Sequence, residues 1–123
     1  MDKQYKLLYV DDEPLNLKLF SINFSKLYMV LTADSGLEGL SLLAHHPDTR
    51  VVISDMKMPG MNGIEFIRMA KKEFPEIHFY ILTGYDITDE ISKALQEGLI
   101  DKYFRKPFNM REIDISIREA LGH

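Results

Sequence analysis

The chain has 123 residues, 46% of them hydrophobic, with 19 acidic against 15 basic side chains and a net charge of -4. That is one domain's worth of sequence with enough apolar residues for a single core, and its mild acidity argues against a nucleic-acid or anionic-membrane binder acting through bulk charge. The lack of cysteine removes disulfide and thiolate chemistry, and with no signal-peptide pattern and no apolar run near 18 residues we expect a soluble, cytoplasmic protein without a membrane partner.

Residues 5–10 form a compact apolar run, read as a first strand, which the acidic turn Asp11-Asp12-Glu13 stops. Pro14 suits the first turn of a helix, where its missing N–H would have no partner. Leu15, Leu19 and Ile22, joined by Phe20, Phe24 and Leu27, predict a wide apolar face on that helix. A second strand is expected over residues 28–33. Ser35 and Glu38 then have capping-box spacing ahead of a helix whose buried stripe would be Leu37, Leu40 and Leu43.

The run 51–54 is rich in β-branched residues and reads as a buried third strand, leaving Asp55 at its end. Pro59, Gly60, Asn62 and Gly63 force a loop after it, and Met56, Met58 and Met61 are read as apolar gap-fillers around that loop. Asn62 with Glu65 marks the start of a third helix, which buries Ile67, Ala70 and Phe74 before Pro75 ends it. A fourth strand over 78–82 ends in Thr83-Gly84. Ile91, Ala94 and Leu95, with Gly98 as a stop, predict a short, mobile fourth helix. The fifth strand, Lys102–Arg105, ends at Lys106-Pro107. Asn109 and Glu112 repeat the cap pairing, and Met110, Ile113, Ile117 and Leu121 give the stripe of the last helix.

Five strands alternating with five helices through short loops imply an α/β fold: a doubly wound parallel sheet covered on both faces, in one domain over 1–123 with no output domain. Such a sheet delivers all its strand carboxyl ends to one edge, where ligands bind. The groups delivered here are Asp11, Asp12, Asp55, Thr83 and Lys106. If strands one and three are neighbours, three carboxylates converge and call for a counter-charge, for which Mg²⁺ suits a shallow all-oxygen site better than Ca²⁺. Asp12 and Asp55 would hold the metal directly and Asp11 through water. A metal beside a carboxylate, a lysine and a hydroxyl is equipment for phosphoryl transfer. Asp55 would be the nucleophile and phosphoacceptor, Lys106 its partner and then the phosphoryl group's, and Thr83 a hydroxyl donor.

In Asp11-Asp12, in Asp55 with its Met-Lys-Met-Pro-Gly-Met-Asn-Gly sequel, in Thr83-Gly84, in Tyr103 and in Lys106-Pro107-Phe108, the chain resembles a response-regulator receiver domain of two-component signalling over nearly its full length. The resemblance implies a flavodoxin-like (βα)5 strand order of 2-1-3-4-5, with the backbone carbonyl of Lys57 as a further metal ligand. It implies a phosphoryl group taken from a phosphohistidine of a sensor histidine kinase or histidine phosphotransfer protein, with Mg²⁺ required. It also implies a switch in which Thr83 and Tyr103 move toward phosphorylated Asp55. The surface of helix four, strand five and helix five would then dock a downstream effector or a second copy. Lys57 and Tyr85, at positions that vary in the family, would flank the acyl phosphate and shield it, next to Gly84. The segment Glu97-Gly98-Leu99-Ile100-Asp101 departs from the family's frequent Gly-Ala pair, which touches the exit of helix four and not the site.

Other readings set the limits. Each acidic residue alone could be an ordinary helix cap or turn residue, and Tyr103 a half-buried strand residue. His45, His46, His78 and His123 lack metal-ligand spacing and read as surface or loop residues. Ile115, off the stripe of helix five, reads as a scattered surface residue rather than part of a docking face. A phosphorylation-independent scaffold would be expected to lack an Asp, Thr or Lys. An aspartyl-phosphate phosphatase would want a second Asp two residues after the nucleophile, where Lys57 stands. The expectation is therefore a regulator rather than a metabolic enzyme.

Overall fold

The computed structural model describes residues 5–84 and 87–122, so Tyr85 and His123 lie outside the described residues. The elements follow in strict alternation: β1 (Lys6–Val10), α1 (Pro14–Phe24), β2 (Met29–Ala33), α2 (Gly36–His45), β3 (Thr49–Asp55), α3 (Gly63–Glu73), β4 (His78–Thr83), α4 (Asp89–Gln96), β5 (Lys102–Arg105) and α5 (Met110–Ala120). All strand pairs are parallel, and the order is β2-β1-β3-β4-β5, as the resemblance implied. β3 starts two residues earlier than its apolar run and takes in Asp55, and β4 takes in Thr83, because ladder pairing with their neighbours continues through these polar residues.

Side chains alternate across the sheet and divide the core in two. Leu8, Val10, Val52, Phe79 and Ile81 face α2, α3 and α4, where Leu43, Phe66, Ile67, Ala70, Ile91 and Ala94 meet them. On the other face Leu7, Tyr9, Val51, Ile53, Tyr80, Leu82 and Phe104 pack on Phe20 and Phe24 of α1 and on Ile113 and Ile117 of α5. The caps read from the sequence form: Ser35, Asn62 and Asn109 each accept a backbone N–H three residues on, and Thr88, which the sequence reading did not single out, caps α4 in the same way. At α3 the pairing is reciprocal, since Glu65 also accepts from the Asn62 N–H.

Two helix faces differ from expectation. Leu15, Leu19 and Ile22 are exposed at 65%, 42% and 59%, and of the wide face expected for α1 it is Phe20 and Phe24, with Leu27 after the helix partly buried, that meet the core. Fully burying each ring is worth about 2–3 kcal/mol, and their stack continues onto Tyr9 of β1: the Tyr9 and Phe20 centroids are 4.3 Å apart, those of Phe20 and Phe24 4.4 Å. In α2, Leu37 is exposed, while Gly36 and Gly39 face inward because Phe66 of α3 packs where larger side chains would stand. Met110 of α5 is likewise at the surface, as is Ile115. α4 is short, as predicted, and buries Ile91 and Ala94.

Candidate functional site

Four strands deliver their ends to one place. Asp11 and Asp12 follow β1, Asp55 closes β3, Thr83 closes β4, and Lys106 follows β5. The ladder brings them level, with Val10 opposite Ser54, Asp55 opposite Leu82, and Thr83 opposite Arg105. The loop after β3 is folded back by two backbone bonds: the Met56 N–H donates to the Leu82 carbonyl at 3.0 Å and the Gly63 N–H to the Met56 carbonyl at 2.9 Å. Met56 and Met58 are buried and Met61 packs beside them, so the loop is anchored by apolar contacts. The Lys106 N–H donates to the Thr83 carbonyl at 2.8 Å, which ties the lysine to the end of β4, and a cis peptide bond joins Lys106 to Pro107.

Carboxylate oxygens of Asp11, Asp12 and Asp55 lie within 4.8 Å of one another. At that spacing each pair repels by about 3 kcal/mol at an effective dielectric near 20. Lys106 answers part of this, its Nζ 3.0 Å from Asp55 Oδ1 and 3.6 Å from Asp11 Oδ2. Three negative charges against one positive leave an acidic surplus. Burial pushes the Asp55 carboxyl above its ordinary value; the Lys106 bond opposes this, and the charges of Asp11 and Asp12 add to it. For Lys106, burial pulls downward, but Asp55 and then Asp11 outweigh it and hold the ammonium above its ordinary range. The lysine therefore holds its proton more tightly beside Asp55 than it would in water.

Asp11 is fully buried and held by three donors. The Tyr9 hydroxyl donates to Oδ2 at 2.6 Å, the Asn16 amide to the same oxygen at 3.2 Å, and the Glu13 N–H to Oδ1 at 3.0 Å. Burial and this bond push the Tyr9 phenol far above its ordinary value, so it remains a donor. Tyr9 and Asn16 were not singled out from the sequence, where Tyr9 passed as one more apolar strand residue. The signal was the two-residue spacing of Tyr9 and Asp11, which puts both on one face of β1.

The carboxylates open into a cleft of about 450 Å³ whose walls are Asp12, Glu13, Asp55, Lys57, Thr83, Gly84 and Lys106. Asp55 and Thr83 are buried at its floor, while Lys57 and Gly84 are exposed. Of the sequence-predicted residues, Asp11, Asp12, Asp55, Thr83, Lys106, Lys57 and Gly84 thus gather at the strand ends. Tyr103 does not line this cleft; half-buried, it packs on the α4 side of the core and borders a separate groove of about 620 Å³ with Arg111 and Ile115. Tyr85 lies outside the described residues. Among those described, the three aspartates are the one group of acidic or histidine side chains spaced to hold a metal ion. The donor set is all oxygen, which fits a hard divalent cation such as Mg²⁺. Among the described residues, no helix is long and apolar enough to cross a membrane.

A family profile described as response regulator receiver domain matches residues 7–118. The chain is 31% identical over 120 residues to the hydrogenase transcriptional regulatory protein HoxA of Cupriavidus necator, covering 98% of this chain but only 25% of that protein. It is 31% identical over 121 residues to a chemotaxis protein CheY homolog of Campylobacter jejuni, covering 95% of this chain and 92% of the relative. A response regulator receiver domain protein from Clostridium thermocellum superposes with a TM-score of 0.90 at 35% identity, over 96% of this chain and 94% of that one. With a profile spanning nearly the whole sequence and the strand order of that fold, the chain belongs to the response regulator receiver domain family.

Proposed function

We propose that this chain is a phosphorylation-dependent signalling switch that takes a phosphoryl group from a phosphohistidine onto Asp55. The donor would be a histidine kinase or a histidine phosphotransfer protein in the cytoplasm. The observation that carries this is the buried Asp55 carboxylate, 3.0 Å from Lys106, beside two further carboxylates at the open edge of the sheet.

In the transfer, a carboxylate oxygen of Asp55 attacks phosphorus, the N–P bond to the donor imidazole breaks, and the electron pair leaves with the imidazole. Lys106 exchanges its bond to the free carboxylate for one to a phosphoryl oxygen, and Thr83 donates its hydroxyl to another. Asp12 and Asp55 directly, and Asp11 through water, would hold Mg²⁺, which when bound supplies positive charge to the phosphoryl oxygens. Lys57 and Gly84 at the cleft walls govern how water reaches the acyl phosphate. The chain catalyses its own phosphorylation and is a regulator, not a metabolic enzyme.

Two surfaces serve partners in this reading. Leu15, Leu19 and Ile22 form an exposed apolar stripe on α1, and Leu19 lines an apolar hollow of about 600 Å³ with Lys106, Phe108 and Met110. A protein that brings its phosphohistidine over Asp55 must cover this rim, so we assign it to the phosphodonor. The groove bordered by Tyr103, Arg111 and Ile115 lies on the α4–β5–α5 surface and is the output side, toward an effector or a second copy, with Thr83 and Tyr103 as the switching pair.

Incubation with acetyl phosphate and Mg²⁺, read by intact mass, tests the proposal. An alkali-labile phosphoryl adduct on the parent, absent from Asp55→Asn, is expected. No adduct at all would favour a phosphorylation-independent docking module, and an adduct that turns over other phosphate esters would favour a phosphatase.

A further inference from the structure

The three donors on Asp11 restrict what that carboxylate can give to an ion. A carboxylate offers about four lone-pair directions. Tyr9 and Asn16 take two on Oδ2 and the Glu13 N–H takes one on Oδ1, which leaves a single direction free. Asp11 can therefore turn only one oxygen toward a water of the ion, the role given to it above, and bidentate ligation through it is closed. The restriction is rigid, because Tyr9 is itself fully buried and its ring is fixed in the stack with Phe20 and Phe24 of α1.

We propose that Tyr9, backed by Asn16, is a positioning residue that sets the ion selectivity of the acidic cluster by fixing Asp11 as a one-oxygen partner. The inference rests on the Mg²⁺ reading of the site given above. Mg²⁺ demands near-octahedral placement of its ligands and tolerates little adjustment, whereas Ca²⁺ accepts six to eight oxygens, bidentate carboxylates and irregular geometry. A pinned Asp11 therefore favours Mg²⁺. The phenol at 2.6 Å is the closest of the groups on Oδ2, ahead of Asn16 at 3.2 Å and Lys106 at 3.6 Å, so its loss loosens Asp11 and lets it offer both oxygens, which hurts the small ion and suits the large one. Neighbouring donors of this kind commonly carry a tenfold effect or more on metal affinity.

The test is titration of the whole chain with MgCl₂ and with CaCl₂ by calorimetry, for the parent, Tyr9→Phe, Asn16→Ala and Tyr80→Phe. Tyr80 is a second buried tyrosine whose hydroxyl donates to the Ser116 carbonyl at 2.9 Å, away from the cluster, and so controls for the loss of a buried phenol bond. The Mg²⁺-to-Ca²⁺ affinity ratio should fall about tenfold in Tyr9→Phe. It should fall in the same direction in Asn16→Ala and stay at the parental value in Tyr80→Phe. A parental ratio in Tyr9→Phe, or a parallel loss of both ions, would overturn the inference while leaving the metal reading standing. Failure of the parent to bind Mg²⁺ at millimolar concentration would overturn both.

Discussion

Gly63 stands so close to the end of β3 that a Cβ at this position would collide with the Asp55 carbonyl oxygen and lie 2.8 Å from Ile81 Cδ1. The first residue of α3 thus presses on the backbone of the proposed phosphoacceptor, which is already fixed by the Ser54 hydroxyl donating to the same carbonyl at 2.9 Å. Backbone cannot swing aside as a side-chain tip can. Gly63→Ala should therefore cost about 3 kcal/mol and weaken Mg²⁺ binding by displacing Asp55. Gly60→Ala is the comparison: nothing lies within reach of a Cβ there, but φ is +81°, so the cost should be about 1 kcal/mol and Mg²⁺ affinity should hold. Equal denaturation midpoints for the two variants would contradict this account.

The same contact shows what could be read in the sequence and what could not. Parallel strands fix which residues share an edge, so Asp11, Asp12, Asp55, Thr83 and Lys106 could be placed together once the strands were found. The close approach of Gly63 could not be foreseen, because it depends on how α3 folds back. The face of α1 was read too wide for a different reason. Its apolar residues form two stripes, Leu15-Leu19-Ile22 and Phe20-Phe24, and periodicity alone does not choose between them. The choice is made by ring volume and by the partner across the interface, Tyr9, whose own second role at Asp11 was hidden by its apolar neighbours.

Asp55→Asn should stabilise the metal-free fold at neutral pH. Burial raises the Asp55 carboxyl above its unfolded value of 3.8, with Asp11 and Asp12 adding to the effect against Lys106. A carboxyl with a raised folded-state value holds its proton more tightly when folded, so stability is highest below about 3.8 and falls as pH rises through the folded value. Above that the full cost is present, and the amide removes it. A Tm higher than the parent's by on the order of 3 °C at pH 7 is expected, shrinking as pH is lowered toward the ordinary carboxylate range. Mg²⁺ should then raise the parent's Tm more than the variant's. A variant less stable than the parent at pH 7 would refute the electrostatic account.

Lys57 tests the shielding of the acyl phosphate. It is exposed, two residues past Asp55, and forms part of the cleft wall. Lys57→Ala opens that wall to water while Asp55, Thr83 and Lys106 are all retained. The phosphorylated form, made with acetyl phosphate and then freed of donor, should decay severalfold faster in the variant. Matching decay curves would remove Lys57 from any role in the lifetime.

The apolar stripe of α1 gives a prediction that separates docking from chemistry. Leu15 and Ile22 are exposed at 65% and 59% and belong to neither core cluster, so replacing both with serine should change folding stability by no more than about 0.5 kcal/mol per site. Acetyl phosphate needs no docking surface, and its reaction with Asp55 should be unchanged. On the proposed docking, a kinase or phosphotransfer protein that phosphorylates the parent buries this rim to bring its imidazole over the cleft, and loss of two apolar anchors should slow its transfer about tenfold. Ile115→Ser, at the α5 groove on the output side, should leave that transfer untouched. If the α1 variant were charged by the protein donor as fast as the parent, the donor would have to approach over another face, and the exposure of Leu15, Leu19 and Ile22 on α1 would need a different explanation.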